Sequence, residues 1–296
     1  MNWRLKGIVQ KTLSAVPGGV QLNTLLQRHV GGLRSPEQNM SMKVTADWVV
    51  IAAHMRALDM SLAGTRYMEI GTGWFPTLPV CFMLAGAESV VSFDLTRHLD
   101  SELTERLWRH LESHLPAIAD AAGQPIEVVR ARYTARPRPT LDYRAPADAT
   151  VSGLADNSVD VVFSNSVLEH VPRRVIADMM REAHRVLRPG GLSIHSVNCA
   201  DHYAYSDPAI TFINYLTYSD TDWAFWNNDL QYQNRMRPSD FIELSERAGF
   251  TTVLASHAPR PELLTVLPSM AIAAEFRDYP AEQLCATSVD FVGRKP

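Results

Sequence analysis

A glycine-containing turn at residues 69–76 is the first part of the sequence that could do chemistry. It reads "EIGTGWFP", so that Gly71 and Gly73 follow an apolar strand. Glycines in a strand-to-helix turn let a ligand approach the backbone at a helix N-terminus, although any such turn can need them for conformation alone. Asp94 ends the next apolar run about twenty residues later, where a carboxylate can accept both ribose hydroxyls or merely cap a helix. Together the two signals predict a nucleoside site.

The residues after Gly73 indicate which nucleotide the turn would take. Dinucleotide sites favour a third glycine where the helix closes on a pyrophosphate, and Pro76 stands there instead. Trp74 and Phe75 crowd the same approach. An anion at Glu69 would repel phosphate and suit a sulfonium or amino group, unless Glu69 only braces the turn. A pyrophosphate is therefore disfavoured.

Four motifs in this order resemble the class I S-adenosylmethionine-dependent methyltransferases, and within them the type 11 group of small-molecule methyltransferases. They are "MEIGTGWFP", "FDL", "DATVSGLADNSVDVVFSNSVLEHV" and "REAHRVLRPGG", within residues 66–197. The resemblance implies a Rossmann-like α/β fold with a seven-stranded, mostly parallel sheet, helices on both faces and an antiparallel terminal strand. It also implies S-adenosylmethionine as cofactor and S-adenosylhomocysteine as product.

The resemblance further implies a set of cofactor-binding residues. The glycine turn would surround the methionine part, Asp94 would hold the ribose with Leu95 beside the adenine, and Asp148 would meet the adenine amino group. Backbone atoms at the end of the fourth strand would face the methionine part. The complete set is Glu69, Gly71, Thr72, Gly73, Asp94, Leu95, Asp148, Ala149, Asn165 and Ser166. Phe75 departs from the family pattern, which has a third glycine at its position.

Two histidines are candidates for the general base that an O–H or ammonium acceptor needs. His202 after the fifth predicted strand is the first choice, and His170 after the fourth strand is the second; Tyr203, next to His202, is a third catalytic candidate. Both follow strands at the edge where ligands bind in such folds. His170 could instead pack a helix, and His202 could be an ordinary loop residue. Because no histidines, cysteines and carboxylates have metal-ligand spacing, we predict no metal.

Alternating strand-like and helix-like segments predict the scaffold that positions these residues. We expect strands at 66–70, 89–95, 125–133, 158–165, 192–197, 251–257 and 286–296, with helices between them. Residues 1–62 read as an N-terminal helical extension or cap, and residues 63–296 as the methyltransferase domain.

An aromatic-rich segment at about 201–237 interrupts this rhythm. It could be a lid that walls the acceptor pocket, a cap packed on the sheet, or a dimer contact. Arg235 and Arg237 are its candidates for binding an anionic substrate, and the alternative interpretation is that they bridge helix and loop. We expect a lid, and a homodimer stays open.

Net charge, cysteine content and the lack of long apolar runs indicate which partners and which location to expect. The 296 residues carry a net charge of −4, which disfavours nucleic acid as a partner, and the three cysteines form no pair. No transmembrane run or signal peptide is visible, so we expect a cytoplasmic protein. Before Glu37 there are no acidic residues, only basic ones: Arg4, Lys6, Lys11, Arg28 and Arg34. This segment could make weak contact with a membrane surface or dock on the protein body.

The sequence therefore predicts methyl transfer from S-adenosylmethionine to O or N of a small molecule, such as a secondary metabolite or a sugar-type acceptor. Two alternatives stay open: a non-catalytic subunit that binds S-adenosylmethionine, and an NAD(P)-dependent oxidoreductase. The identity of the acceptor is beyond what the motifs indicate.

Overall fold

The computed structural model describes residues 2–16, 18, 19, 22, 35–136, 141–228 and 230–296. Helix α1 (Trp3–Ser14) opens the chain, and the Asn2 side chain caps it by accepting from the backbone N–H groups of Arg4 and Leu5. Pro17, Arg28 and Arg34 of the predicted basic segment lie outside the described residues.

A seven-stranded sheet forms the centre of the molecule. Its strands are β1 (Arg66–Ile70), β2 (Ser89–Phe93), β3 (Leu141–Arg144), β4 (Val159–Asn165), β5 (Leu187–Asn198), β6 (Thr251–Ser256) and β7 (Ser288–Arg294). Their order across the sheet is β3-β2-β1-β4-β5-β7-β6. The first five pair in parallel, whereas β7 runs antiparallel between β5 and β6. This confirms the predicted mostly parallel sheet with an inserted antiparallel terminal strand.

Helices cover both faces of the sheet because alternate strand residues point to opposite sides. Tyr67 stacks on Phe82 on one face with ring centroids 4.0 Å apart, while Met68 packs with Val162 on the other. The helices that follow α1 are α2 (Pro36–Met42), a π-helical segment (Lys43–Trp48), α3 (Val49–Ala57), α4 (Thr77–Leu84), α5 (Ser101–Leu111), α6 (Leu115–Ala122), α7 (Ile126–Ala135), α8 (Arg173–Val186), α9 (Asp220–Trp226), α10 (Pro238–Arg247), α11 (Pro261–Val266) and α12 (Ala281–Cys285).

The predicted third strand at 125–133 is wrong, because this segment forms α7. Its β-branched residues suggest a strand, but Val129 is buried against the helices on one face of the sheet. The Tyr133 hydroxyl also donates to the carbonyl of Trp108 at 2.8 Å. Tertiary packing outweighs strand propensity here, and the true third strand starts at Leu141.

The fifth strand also begins earlier than predicted. Leu187 already pairs with Val159, so the "RPGG" turn lies within β5 as a register irregularity instead of preceding the strand. The helix before it, α8, ends at Val186.

The aromatic segment forms a separate hydrophobic cluster with both ends of the chain. Trp3 of α1 packs against Tyr203 and Trp226, with ring centroids 5.3 and 4.7 Å away. The cluster's buried members are Trp3, Tyr203, Ile213, Tyr215, Leu216, Trp223, Leu263, Phe276, Leu284 and Cys285. We call this cluster with its surrounding segments the aromatic cap.

Two observations bear on membranes. None of the helices that the structure describes combines the length and the apolar composition needed to cross a bilayer. On α1, Leu5, Ile8 and Val9 are exposed, although Trp3 and Gly7 are buried against the aromatic cap. Contact with a membrane surface stays a prediction.

Candidate functional site

The two positions of the turn, Gly71 and Gly73, require glycine for different physical reasons. Both adopt positive φ, +83° at Gly71 and +73° at Gly73, a conformation that L side chains rarely take. A Cβ added at Gly71 would collide with the side chain of Val167, whereas one added at Gly73 would meet nothing within 4 Å. Gly71 therefore allows close packing against the segment after β4, and Gly73 leaves the backbone open to a ligand.

Glu69 lies behind this turn, not in front of it. Its side chain is buried, and Oε2 accepts from the hydroxyl groups of Thr72, at 2.7 Å, and Ser92. Burial raises the pKa of Glu69 to about 7, against the lowering effect of those hydrogen bonds. The carboxyl group thus braces the turn from below, as the structural interpretation of the sequence allowed.

Asp94 follows β2 and is tied to its neighbours on both sides. Its Oδ2 accepts from the Gly73 backbone N–H at 3.1 Å and from the Tyr143 hydroxyl at 2.8 Å. Burial raises the pKa of Asp94, an effect that these two hydrogen bonds oppose. The Tyr143 hydroxyl in turn accepts from the backbone N–H groups of His98 and Leu99. Because sequence reasoning misplaced the third strand, it missed Tyr143.

A cavity of about 1030 Å³ opens at the carboxyl ends of β1, β2 and β4. Most of the predicted cofactor residues line it: Gly71, Thr72, Gly73, Asp94, Leu95, Asp148, Ala149, Asn165 and Ser166. His170 lines it as well, whereas Glu69, His202 and Tyr203 do not. Parallel strands end at a common edge, so residues far apart in sequence converge here.

The N-terminal extension supplies a wall of this cavity, through residues that no sequence motif marks. Lys43 and Asp47, one turn apart in the π-helical segment, line the cavity together with Asn39. The Lys43 ammonium donates to the side-chain oxygen of Asn165 at 3.2 Å. Burial raises the pKa of Asp47, opposed by the charge of Lys43. No local motif marks these residues, because only the docking of the helix brings them to the sheet edge.

The other end of the cavity is more exposed. Leu95 is 74% exposed at the cavity wall, an unusual position for a leucine side chain. Asp148 is exposed too, and its Oδ1 accepts from the backbone N–H and the hydroxyl of Thr150 at 2.8 and 2.7 Å. These residues offer an apolar surface beside a carboxylate whose second oxygen is available to a ligand.

The two candidate histidines lie together, with ring centroids 5.0 Å apart. His170 Nδ1 lies 2.8 Å from the carbonyl of Tyr232, which makes that nitrogen the donor and leaves Nε2 as the acceptor. Desolvation by the surrounding protein lowers the pKa of His170, although part of its side chain is exposed. Burial, and then the neighbouring His170, lower the pKa of His202 to about 3. His202 is therefore a weak base.

Glu169 completes a group that the linear spacing did not reveal. One ligand atom from each of Glu169, His170 and His202 lies within 4.8 Å of the other two. Glu169 is 2% exposed, and no described side chain forms a hydrogen bond with its carboxyl oxygens, which the backbone N–H groups of Glu169 and Asn198 approach; His202 Nε2 has no partner among the described residues. Burial raises the pKa of Glu169 to about 8. The prediction of no metal relied on sequence spacing, and the fold brings together three groups that could bind one.

The other three candidate site residues form hydrogen bonds within the aromatic cap. The Tyr203 hydroxyl donates to the carbonyl of Trp226 at 2.9 Å, away from the large cavity, and burial raises the pKa of Tyr203 to about 12. Arg237 is fully buried and donates to the Cys199 carbonyl at 2.9 Å. Arg235 donates to the Tyr215 carbonyl at 2.8 Å. Both arginines therefore bridge elements of the fold, the structural role that the sequence left open.

The lid interpretation of the aromatic segment also changes. No described residue of 201–237 lines the large cavity, because the aromatic rings fill the core of the cap. Its link to the cavity is indirect: the Tyr232 carbonyl holds His170, and the Asn234 side chain donates to the carbonyls of Leu168 and Val171. A smaller cavity of about 500 Å³ lies within the cap itself, lined by Trp223, Tyr232 and Arg235 among others.

The comparisons with solved structures give overlaps of low similarity. An S-adenosylmethionine dependent methyltransferase from Mesorhizobium loti overlaps with a TM-score of 0.43 and 17% identity, covering 82% of this chain and 96% of that one. Phosphoethanolamine N-methyltransferase 2 of Haemonchus contortus, in complex with S-adenosyl-L-methionine, has a TM-score of 0.46 and 17% identity over 83% of this chain and 52% of that one. Geranyl diphosphate C-methyltransferase from Streptomyces coelicolor A3(2) overlaps with a TM-score of 0.46 and 12% identity, covering 83% of this chain and 80% of that one. Overlaps this weak say nothing about the acceptor of this chain.

The sequence comparison is more specific. No curated protein matches this chain. The family described as "Methyltransferase domain" matches residues 102–195, about a third of the chain, from α5 into β5. The match begins after the glycine turn and Asp94, so the assignment of those residues rests on the geometry above. Residues 102–195 are therefore similar to a methyltransferase domain, and they lie in a sheet with the strand order β3-β2-β1-β4-β5-β7-β6.

Proposed function

We propose that this enzyme transfers the methyl group of S-adenosylmethionine to an oxygen or nitrogen of a small molecule bound in the large cavity. The observation that carries the proposal is that Gly73 and Asp94, joined by a hydrogen bond, line the same cavity as Lys43 and Asn165. The cavity volume of about 1030 Å³ lies at the upper end of the range for small-molecule sites, which supports the proposal that cofactor and acceptor bind there together.

The cofactor would lie along the ends of the first, second and fourth strands. Asp94 would accept the ribose hydroxyls, with the adenine between Leu95 and Asp148. The methionine part would lie over Gly71 and Gly73, with its carboxylate toward Lys43. The positive φ of both glycines and the open space at Gly73 support this orientation.

The remaining space would hold the acceptor against the N-terminal helices and the segment after β4. A sulfonium methyl is already activated, so the main contribution of the protein is in-line alignment and exclusion of water. His170 borders this space, and Nε2 is its accepting nitrogen. We therefore propose that His170 contacts the acceptor, with His202 behind it. The low pKa of His202 argues against the role of general base that we first expected.

A metabolite screen with methyl-labelled S-adenosylmethionine tests this function. We expect label to appear on a small molecule, S-adenosylhomocysteine to bind in calorimetric titrations, and NAD(P)H not to bind. Binding of S-adenosylhomocysteine without any acceptor would support a non-catalytic partner subunit. Binding of NAD(P)H alone would contradict the proposal.

Partner and location predictions need separate experiments. We propose weak contact of α1 with anionic membranes, because Arg4 and Lys11 accompany its exposed Leu5, Ile8 and Val9. Co-sedimentation with anionic and neutral vesicles tests this contact. Light scattering tests whether the protein forms the homodimer that the sequence left open. A cytoplasmic location stays a prediction.

A further inference from the structure

We propose that Glu169, His170 and His202 form a binding site for a first-row transition-metal dication such as Zn²⁺, at the acceptor side of the cavity. The inference deepens the proposed function, on which it rests, by indicating that the acceptor presents an oxygen or nitrogen atom to a bound ion. It is carried by three side chains from two different loops whose ligand atoms converge within 4.8 Å.

The first argument is the unsatisfied state of the buried polar atoms. Both carboxyl oxygens of Glu169 and Nε2 of His202 are buried, and no described side chain forms a hydrogen bond with them; the backbone N–H groups of Glu169 and Asn198 approach the Glu169 carboxyl group. Buried polar atoms in folded proteins are nearly always paired, and an isolated carboxylate is especially costly to bury. Three such atoms in one cluster indicate that a ligand pairs with them. A cation satisfies a carboxylate and two imidazoles at once, since all three can donate lone pairs.

The second argument is the orientation of His170. Histidines that bind metals usually donate their other ring N–H to a carboxylate or a backbone carbonyl, which fixes the tautomer. His170 Nδ1 makes such a hydrogen bond to the Tyr232 carbonyl at 2.8 Å. Asn234 holds the same turn from the other side, because its backbone N–H donates to the Glu169 carbonyl at 2.8 Å. The loop that ends the aromatic cap thus orients the ligands of the proposed site.

The third argument is the position of the cluster in the fold. Glu169 and His170 belong to a 3₁₀ turn after β4, and His202 follows β5, the parallel neighbour of β4. His170 lines the large cavity, while Glu169 and His202 lie deeper. An ion held here would keep its open coordination positions toward the acceptor.

The ligand chemistry selects the kind of ion. Imidazole nitrogens with one carboxylate suit Zn²⁺ and its transition-metal neighbours, whereas Mg²⁺ and Ca²⁺ prefer oxygen ligands. Ligands at about 2.0–2.2 Å from Zn²⁺ stand roughly 3.4 Å from one another, so ligand atoms now up to 4.8 Å apart must close by up to about 1.4 Å on binding.

The test uses the full-length protein after treatment with a chelator and dialysis. Calorimetric titration with Zn²⁺ should give one site, and Co²⁺ should develop the visible absorption bands of an ion with nitrogen ligands. Mg²⁺ should bind at least about tenfold more weakly than Zn²⁺. If neither Zn²⁺ nor Co²⁺ binds, or if Mg²⁺ binds equally well, the proposal is wrong.

Variants locate the site. His170→Ala and Glu169→Gln should each weaken Zn²⁺ binding by about tenfold or more. Losing a residue that only hydrogen-bonds to a metal ligand already costs about tenfold, and losing the ligand itself should cost at least as much. His170 is at a partly exposed position, so its replacement should be tolerated by the fold. His257→Ala is the matched control, because His257 also has a buried unpaired nitrogen but lies outside the cluster. If His170→Ala binds Zn²⁺ as tightly as the wild type, the assignment fails even where Glu169→Gln does not fold.

Titration of S-adenosylhomocysteine into the same samples separates the two proposals. Cofactor binding without metal binding would reject the metal site and leave the methyltransferase function intact. Loss of cofactor binding in the wild-type protein would instead reject the proposed function.

Discussion

The backbone N–H of Gly73 donates to Oδ2 of Asp94 at 3.1 Å, which joins the glycine turn to the end of the neighbouring strand. The contact couples the two halves of the proposed cofactor site, the loop for the methionine part and the carboxylate for the ribose. A change at either residue should therefore affect the binding of the same ligand.

Replacing Asp94 by Ala should weaken S-adenosylhomocysteine binding by about 100-fold. Two hydrogen bonds to a charged group contribute about 1.5 kcal/mol or more each, and both would be lost. Isothermal calorimetry measures the effect. Asp142→Ala is the control, since Asp142 is an exposed carboxylate in the neighbouring strand β3, paired with Arg144 at 2.7 Å and outside the cavity lining. Unchanged affinity in Asp94→Ala would overturn the site assignment.

Replacing Tyr143 by Phe should have a smaller effect on the same titration, about fivefold. The substitution removes one hydroxyl that donates to Asp94 at 2.8 Å, a loss of about 1 kcal/mol. Tyr133→Phe removes a comparable hydrogen bond to Trp108, far from Asp94, and should leave the affinity unchanged. Equal losses in the two variants would indicate general destabilisation.

Gly71→Ala should destabilise the fold more than Gly64→Ala. Both glycines have positive φ, +83° and +70°, so both variants lose about 1–2 kcal/mol through the backbone. Only at Gly71 would the new Cβ collide with Val167 and displace the turn. Urea unfolding measures the difference, and S-adenosylhomocysteine titration should show weaker binding for Gly71→Ala alone. Equal unfolding free energies would contradict the close approach.

Lys43→Met should weaken binding of S-adenosylhomocysteine about tenfold, with no effect on 5′-methylthioadenosine. We expect this because the ammonium group, 3.2 Å from the Asn165 side chain, would pair with the carboxylate that only the first ligand carries. Parallel titrations of the two ligands measure the difference. If both affinities fall equally, Lys43 acts through the structure of the cavity wall.

Glu69→Gln should change how stability depends on pH. Burial raises the pKa of Glu69 to about 7, so the folded state keeps a proton that the unfolded chain loses near pH 4.3. The Glu69 contribution to wild-type stability should therefore fall between about pH 4 and 7, by roughly 4 kcal/mol at most. Gln is uncharged and keeps an oxygen for Thr72 and Ser92, so the decrease should shrink in this variant. Identical pH profiles in urea unfolding would show that Glu69 is ionised in the folded state.

The sequence by itself determined the elements whose signals are local. Apolar runs gave six of the seven strands, and the spacing of the glycine turn from Asp94 indicated a nucleoside site. Both kinds of signal work because a strand buried on both faces must be apolar, and a turn with positive φ favours glycine. The prediction of the third strand was wrong because Val129 is buried in a helix. Its conformation depends on packing against residues that are distant in sequence.

Only the tertiary structure decided which side chains meet. It put Glu69 behind the turn, Lys43 beside Asn165, and Tyr203 inside the aromatic cap. It also brought Glu169, His170 and His202 within 4.8 Å, although His202 lies more than thirty residues beyond His170. The physical reason is that parallel strands from distant parts of the chain end at one edge, where loop side chains converge without any fixed spacing in sequence.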